Sequence, residues 1–249
     1  MREDIIKYKN NYLSNVVVSL DFSPVTRFFE TVPNDIIEKL SQDYIFHQGQ
    51  MLSEVKVNIM TGAKIQTAIP VWEFQSKDNI LLIQLTQNFL KFNFTKYKNF
   101  EDLLNNVQKV TKLLQNDIKL ITRLGLRYIN QIDLDENNPT DWTDYINDAL
   151  TSSIDKWCSA SKNKIARAMS QIMINEDDYT LNFNYGIYNP IFPNTVLQKQ
   201  YILDFDCFGK NVEFTELDTL LYKFNLAITN SFEKSIKDNL RNKMERIYE

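Results

Sequence analysis

Apolar and polar positions change their repeat along the chain, and the repeat predicts the elements. From Leu13 to Phe22 the β-branched and apolar run Val16, Val17, Val18 and Leu20 predicts a buried strand. Ser23-Pro24 marks a change of direction, Pro24 to Phe29 a short helix, and Pro33 with Asp35 opens a second helical piece, PNDIIEKLSQDY. Proline tolerates the first helical turn and acids favour its positive end. From Ile45 to Phe94 the period is two: Val55, Val57 and Ile59 alternate with Glu54, Lys56 and Asn58. Thr61-Gly62 turns, Ile65 to Phe74 returns and Asp78-Asn79 turns again. Ile80 to Thr86 and Phe89 to Phe94 then flank a two-residue hairpin at Gln87-Asn88. The period lengthens from Phe100 to Asn116, where Leu103, Leu104, Val107, Val110, Leu113 and Leu114 recur at three and four, an amphipathic helix.

Alternation resumes from Ile118 to Leu134. Leu124, Leu126, Tyr128, Ile132 and Leu134 fall on one side; Arg123, Gly125, Arg127, Gln131 and Asp133 fall on the other. Asn137-Asn138-Pro139-Thr140 is a turn, and Asp141 caps a helix predicted through about Ile154. Ile165 to Ile174 reads as a strand, Glu176-Asp177-Asp178 as a turn, Tyr179 to Tyr188 as an alternating strand, and Asn189 to Asn194 as a loop. Gln200 to Phe208 places Tyr201, Leu203, Phe205 and Cys207 on one side. Thr215 with Asp218 resembles a capping box, and Leu217, Leu220, Leu221, Phe224, Ile228, Phe232, Ile236, Leu240, Met244 and Ile247 predict one continuous helix. At 1.5 Å per residue such a helix is roughly 50 Å long. It would carry its last turns beyond the sheet, so Leu240, Met244 and Ile247 would need cover from a second subunit or a partner.

Both halves read in one order, strand, helix, antiparallel strands, long helix. The expected class is therefore α+β, helices on antiparallel sheet, with residues 1–117 and 118–249 as two similar halves packed as one unit.

Two arginines on one sheet face cannot lie unpaired under a packed layer, because an unpaired buried charge costs several kcal/mol or more. Gly125 leaves room between Arg123 and Arg127 for a close neighbour. Asp204 and Asp206 lie opposite their own strand's apolar row. The four side chains thus predict a salt-bridge network or, alternatively, a site in which Arg123 and Arg127 bind an anionic or phosphorylated ligand positioned by Asp204 and Asp206. No catalytic set is assigned. The aromatic residues Tyr179, Phe183, Tyr185 and Tyr188 near Lys162, Lys164 and Arg167 are read as core before they are read as a base-stacking surface.

The run Arg123-Leu124-Gly125-Leu126-Arg127-Tyr128-Ile129-Asn130, with Tyr8 to Phe22 and Phe232-Glu233-Lys234-Ser235-Ile236, resembles a sporadically distributed, highly divergent family of prokaryotic proteins of about this length. The resemblance implies a full-length, single-unit member and carries over no catalytic residues. The family's scattered occurrence suits a regulator or partner carried in mobile gene neighbourhoods, such as a defence or toxin–antitoxin locus.

Composition narrows the function classes. The 249 residues are 43% hydrophobic and 24% charged, ordinary for a globular chain able to bury a large core. A net charge of −4 argues against broad nucleic-acid binding. No apolar run reaches the roughly 20 residues of a membrane-spanning helix, and the opening MREDIIKYKN has no signal-peptide core, so a cytoplasmic location with no membrane partner is expected. His47 is the only histidine, which removes most triads, dyads and zinc sites. Cys158 and Cys207 stand far apart and read as reduced thiols. Five glycines supply no phosphate-binding loop, and no cofactor or metal is expected. The reading is a non-enzymatic protein-interaction module, with another protein or itself as partner; the alternative is a binding module or enzyme for an anionic or phosphorylated ligand held by Arg123 and Arg127.

Overall fold

The computed structural model describes residues 7–29, 33–57, 64–161 and 165–247. In chain order the elements are β1 (Lys7–Tyr8), β2 (Leu13–Phe22), a 3-10 turn (Thr26–Phe28), α1 (Asn34–Leu40), β3 (Tyr44–Val57), β4 (Lys64–Ser76), β5 (Leu81–Leu85), β6 (Phe89–Phe94) and α2 (Phe100–Leu114). They continue with β7 (Ile121–Leu134), α3 (Asp148–Ser161), β8 (Ala168–Asn175), β9 (Thr180–Ile187), β10 (Lys199–Val212), α4 (Leu217–Ser235), α5 (Asp238–Met244) and β11 (Arg246–Ile247). The chain is α+β, with a nine-stranded antiparallel sheet in the order β3-β4-β5-β6-β2-β7-β10-β9-β8 and a ribbon of β1 with β11.

The chain forms two compact units. One comprises residues 16–125 and 209–221, and the other residues 1–15, 126–208 and 222–249. The boundary falls inside β7 and not at 117/118, and each unit borrows a segment from the other half of the sequence.

In the first unit the pleat sorts the side chains. Val16, Val18, Leu20 and Phe22 of β2 are buried and alternate with half-buried Val17, Ser19 and Asp21. Register carries each row across the meander: Val18 faces Phe92, and Phe92 faces Ile83, which faces Phe74, all four fully buried. Lys91, Gln84 and Glu73 form the matching polar row, where Gln84 Nε2 donates to Glu73 Oε1 at 2.7 Å. The Gln87-Asn88 hairpin closes through Thr86 N–H to the Phe89 carbonyl at 2.9 Å. The Thr86 hydroxyl accepts from the Asn88 and Phe89 amides, which is how this weak turn dipeptide is held. Asn99 caps α2 by accepting from Asp102 N–H at 2.8 Å, and the helix buries Leu103, Val107, Val110 and Leu114. The expected Thr61-Gly62 turn lies outside the described residues.

In the second unit β9 and β10 pair Leu181 with Cys207, Phe183 with Phe205 and Tyr185 with Leu203. The Phe183 and Phe205 rings stack at 4.3 Å. Helix α4 sets Phe224 edge-on to Tyr179, with ring centroids 5.7 Å apart, and buries Ile228. Tyr128 of β7, its ring on the dry side, donates its hydroxyl to Asn225 Oδ1 at 2.7 Å.

Two expectations are corrected here. Asp141 accepts from Thr143 N–H at 3.2 Å, closing a local turn rather than capping a helix, and no helix follows until Asp148. The backbone between is claimed elsewhere: Ile146 bridges Ile236, the Lys237 amide donates to the Tyr145 carbonyl at 2.8 Å, and the Asn147 amide donates to the Ser235 carbonyl at 2.9 Å. The same contacts break the predicted 215–247 helix. Helix α4 starts at Leu217 and is long, but it stops at Ser235, where Ser231 and Ser235 hydroxyls bond back to the carbonyls four residues earlier. After α5, Glu245 adopts φ 55° and the chain turns into β11 against β1. Apolar spacing ran on through the break because both helices bury the same kind of stripe.

Gly186 of β9 lies at φ 133°, and a Cβ there would stand 2.0 Å from the Ala168 carbonyl oxygen of β8. Gly186→Ala should therefore lower the urea midpoint by an amount equivalent to about 1–3 kcal/mol and speed amide exchange in β8 before the rest of the sheet.

Candidate functional site

Strand β7 holds Arg127 on the polar face because its neighbours Leu126 and Tyr128 are committed to the dry face. Arg127 Nε and Nη2 each meet an oxygen of Asp204 at 2.7 Å, a two-pronged pair. The Asp204 side chain is 9% exposed and that of Arg127 45%. Hydrogen bonds to Asp204 hold the guanidinium charged against the cost of half-burying it, and the nearby Asp206 charge adds to this. Asp204 and Asp206 continue a polar row: they face Asn184 and Asn182 of β9, and Asn182 accepts from Gln171 of β8 at 2.8 Å.

Arg123 belongs to the other unit. There its Nη1 donates to Ser19 Oγ at 3.1 Å, and its charge opposes the rise that burial imposes on the Asp21 carboxyl. A Cβ on Gly125 would lie 2.7 Å from Arg123 Nη1 and 2.9 Å from Ser19 Oγ, so the room at Gly125 is filled by the arginine's own side chain. The structure thus joins Arg127 to Asp204, gives Arg123 a serine neighbour, and sets Asp206 near Arg127 as a second negative charge. An incoming anion would have to displace Asp204 from the fork of donors it already occupies.

The residues expected at an interface divide. Leu240 and Met244 are fully buried by the chain itself, because α5 folds back where a continuous helix would have projected; Ile247 is 45% exposed. Arg241 reaches back to Glu233 at 3.0 Å, and Tyr8 donates to the same carboxylate at 2.8 Å. The opening and closing stretches of the family resemblance therefore meet at Glu233.

Cys207 is buried, and burial pushes its thiol well up; Cys158 is half-buried. The turn acids Glu176, Asp177 and Asp178 are exposed, with Asp178 paired to Lys223. Among the described residues no three metal-ligating side chains converge. Phe183 and Tyr179 are spent on ring contacts inside the unit, whereas exposed Tyr188 lies under Arg167, 4.8 Å from its centroid. Lys162 and Lys164 lie outside the described residues.

Two features went unseen in the sequence. Lys199 opens β10 with its side chain 5% exposed, 2.6 Å from Glu136 Oε2 and 5.0 Å from the centre of the Tyr145 ring, with Trp142 at 5.4 Å. A lysine in an aromatic cage leaves no periodic trace, although Trp142 beside a polar loop hints at one. The second is β8, whose residues from Met169 to Asn175 are all exposed: Met169, Ile172, Met173 and Ile174 show 40%, 41%, 58% and 43% of their surface. The legible signal was the lack of any charge between Arg167 and Glu176. No known protein family matches the chain, and no characterised protein matches it.

Two outcomes test the polar contacts. Arg127→Ala strands a carboxylate that is nine-tenths buried and should cost about 2–4 kcal/mol; Asp204→Ala leaves a half-exposed guanidinium that water can reach and should cost about 1–2 kcal/mol. Urea titration of both variants and the double variant should show the double falling short of the sum. Lys199 and Tyr145 hold the Glu136 carboxyl below its ordinary value of 4.5. A depressed folded value means this stabilisation is complete above 4.5 and drains away as pH falls below it. Wild-type chain should lose more stability than Glu136→Gln on acidification below that point.

Proposed function

We propose that the chain acts as a protein-interaction module without catalysis of its own, placed in the cytoplasm. The observation that carries this reading is the apolar exposure of β8, an end strand of the sheet: three of its residues, Ile172, Met173 and Ile174, are consecutive and each more than two-fifths exposed. Open strand edges of this composition template further strands, and folds that do not use them normally guard them with charge, proline or a bulge. Around the same unit Trp157, Phe192 and Leu197 are 64%, 52% and 74% exposed, so the apolar surface extends beyond one strand. The single histidine supports the non-catalytic half of the reading, since it leaves few ways to assemble an acid–base or nucleophile set. Saturation of Arg127 by Asp204 weighs against an anion site there. A regulator of the mobile-locus kind suggested by the family resemblance suits a chain whose chemistry lies in a contact surface.

A photoreactive benzoyl-phenylalanine at position 172, expressed in the native host, should give covalent protein adducts on irradiation. The same group at exposed Lys98 in the other unit should not. Irradiation that yields no adduct from either position, with the chain folded and present, would remove this reading.

A further inference from the structure

We propose that the occupant of this edge is a second copy of the chain, the two β8 strands pairing antiparallel about a two-fold axis through Met173. This rests on the interaction reading above and names its partner.

The first support is the direction of the backbone groups. The Glu176 amide donates to the Tyr179 carbonyl at 2.8 Å across the β8–β9 turn, which makes that pair a hydrogen-bonded one. In an antiparallel ladder such pairs recur every second residue, so Ile174, Ile172 and Ser170 bond toward β9, opposite Leu181, Phe183 and Tyr185. Met169, Gln171, Met173 and Asn175 then direct N–H and C=O to the outer edge, where no described strand pairs.

The second support is the sequence of that edge. Gln171-Ile172-Met173-Ile174-Asn175 reads amide, isoleucine, methionine, isoleucine, amide, the same by residue class in both directions. A two-fold interface brings residue i to j and j to i, so a strand of this kind is complementary to itself. Centred on Met173, the pairing sets Met173 against its own copy, Ile172 against Ile174 of the second copy, and Gln171 against Asn175 of the second copy. Met173 is an edge-directed position, so the centre coincides with a hydrogen-bonding pair and the ladder continues in phase. Ile172 and Ile174 share their face with buried Phe183 and Leu181, and their pairing carries the dry face across the axis.

Charge selects the same occupant. Nothing charged lies between Arg167 and Glu176, so no like charges meet within the paired strands. At the ends, Arg167 is exposed at the start of β8 and the exposed acids Glu176, Asp177 and Asp178 follow its end. Antiparallel pairing lays the Arg167 of each copy beside the acidic turn of the other, whereas a parallel arrangement would stack like on like. Arg167 Nε donates to the Tyr188 carbonyl at 2.7 Å, which fixes its guanidinium at the start of β8.

Light scattering and sedimentation on the purified full chain should give twice the 29.4 kDa of one copy. Met173→Lys, at a position 58% exposed on the polar face, should return the mass to a single copy with an unchanged circular dichroism spectrum. A thiol at 173 would stand about 5.5 Å, Cα to Cα, from its own copy, inside the span of a disulfide. In a Cys158→Ser background, Met173→Cys should link covalently on mild oxidation, while Met169→Cys, opposite a different residue, should not. A single-copy mass at every concentration, or a dimer that Met173→Cys fails to link in preference to Met169→Cys, overturns the self-pairing. Adducts from position 172 to another protein, with the chain a monomer, would sink the self-pairing and leave the interaction reading standing. Absence of both would remove both.

Discussion

Each strand of the main sheet can dry only one of its two faces, and the pleat decides which side chains are dried. A slip of one residue in β2 against β6 would turn Val18 and Leu20 out and bring Ser19 and Asp21 in, burying polar groups while exposing apolar surface. At about 25 cal/mol for each Å² of apolar surface, a row of four large side chains weighs more than any hydrogen bond on the polar face. The register is therefore set by burial, and the polar contacts form where the register leaves them.

That ordering explains the arginines. Leu124, Leu126 and Tyr128 fix the pleat of β7, so Arg123 and Arg127 must face the other way whatever their use. The fold then gives Arg127 a two-pronged contact with a nearly buried carboxylate, and Arg123 a serine hydroxyl in the space that Gly125 keeps open. The Lys199 cluster follows the same logic from the other side. A lysine at a buried strand position is tolerable because Glu136 neutralises it and the Trp142 and Tyr145 rings lie against it. The loop bearing these three groups is thereby fastened to β10.

Strands and the amphipathic α2 were legible because period is local: the alternation of Leu81 to Leu85 or the three-and-four spacing of Leu103, Val107 and Val110 needs no partner to be read. The Arg127–Asp204 pair was half legible, since facing could be deduced and strand adjacency could not. What escaped was decided over distance. Nothing near Asp141 says that the next carbonyls will be taken by the segment around Ile236, and nothing in the spacing from Ile228 to Met244 betrays the bend, because two consecutive helices on one core keep a single helix's spacing. The burial of Leu240 and Met244 follows from that bend.

The two ends of the sheet also differ in a way that periodicity does not reveal. At β3 the ladder carries an irregularity between His47 and Gln50. A bulge of this kind opposes the docking of a further strand, because it breaks the straight row of donors and acceptors. Strand β8 has none: its register with β9 runs unbroken from Ala168 to Asn175, and every side chain in it is neutral. Were both edges merely solvated, the same protection would serve both. An unguarded, apolar, straight edge is a liability to an isolated molecule and an asset to one that meets a strand there, and the proposed contact rests on this asymmetry.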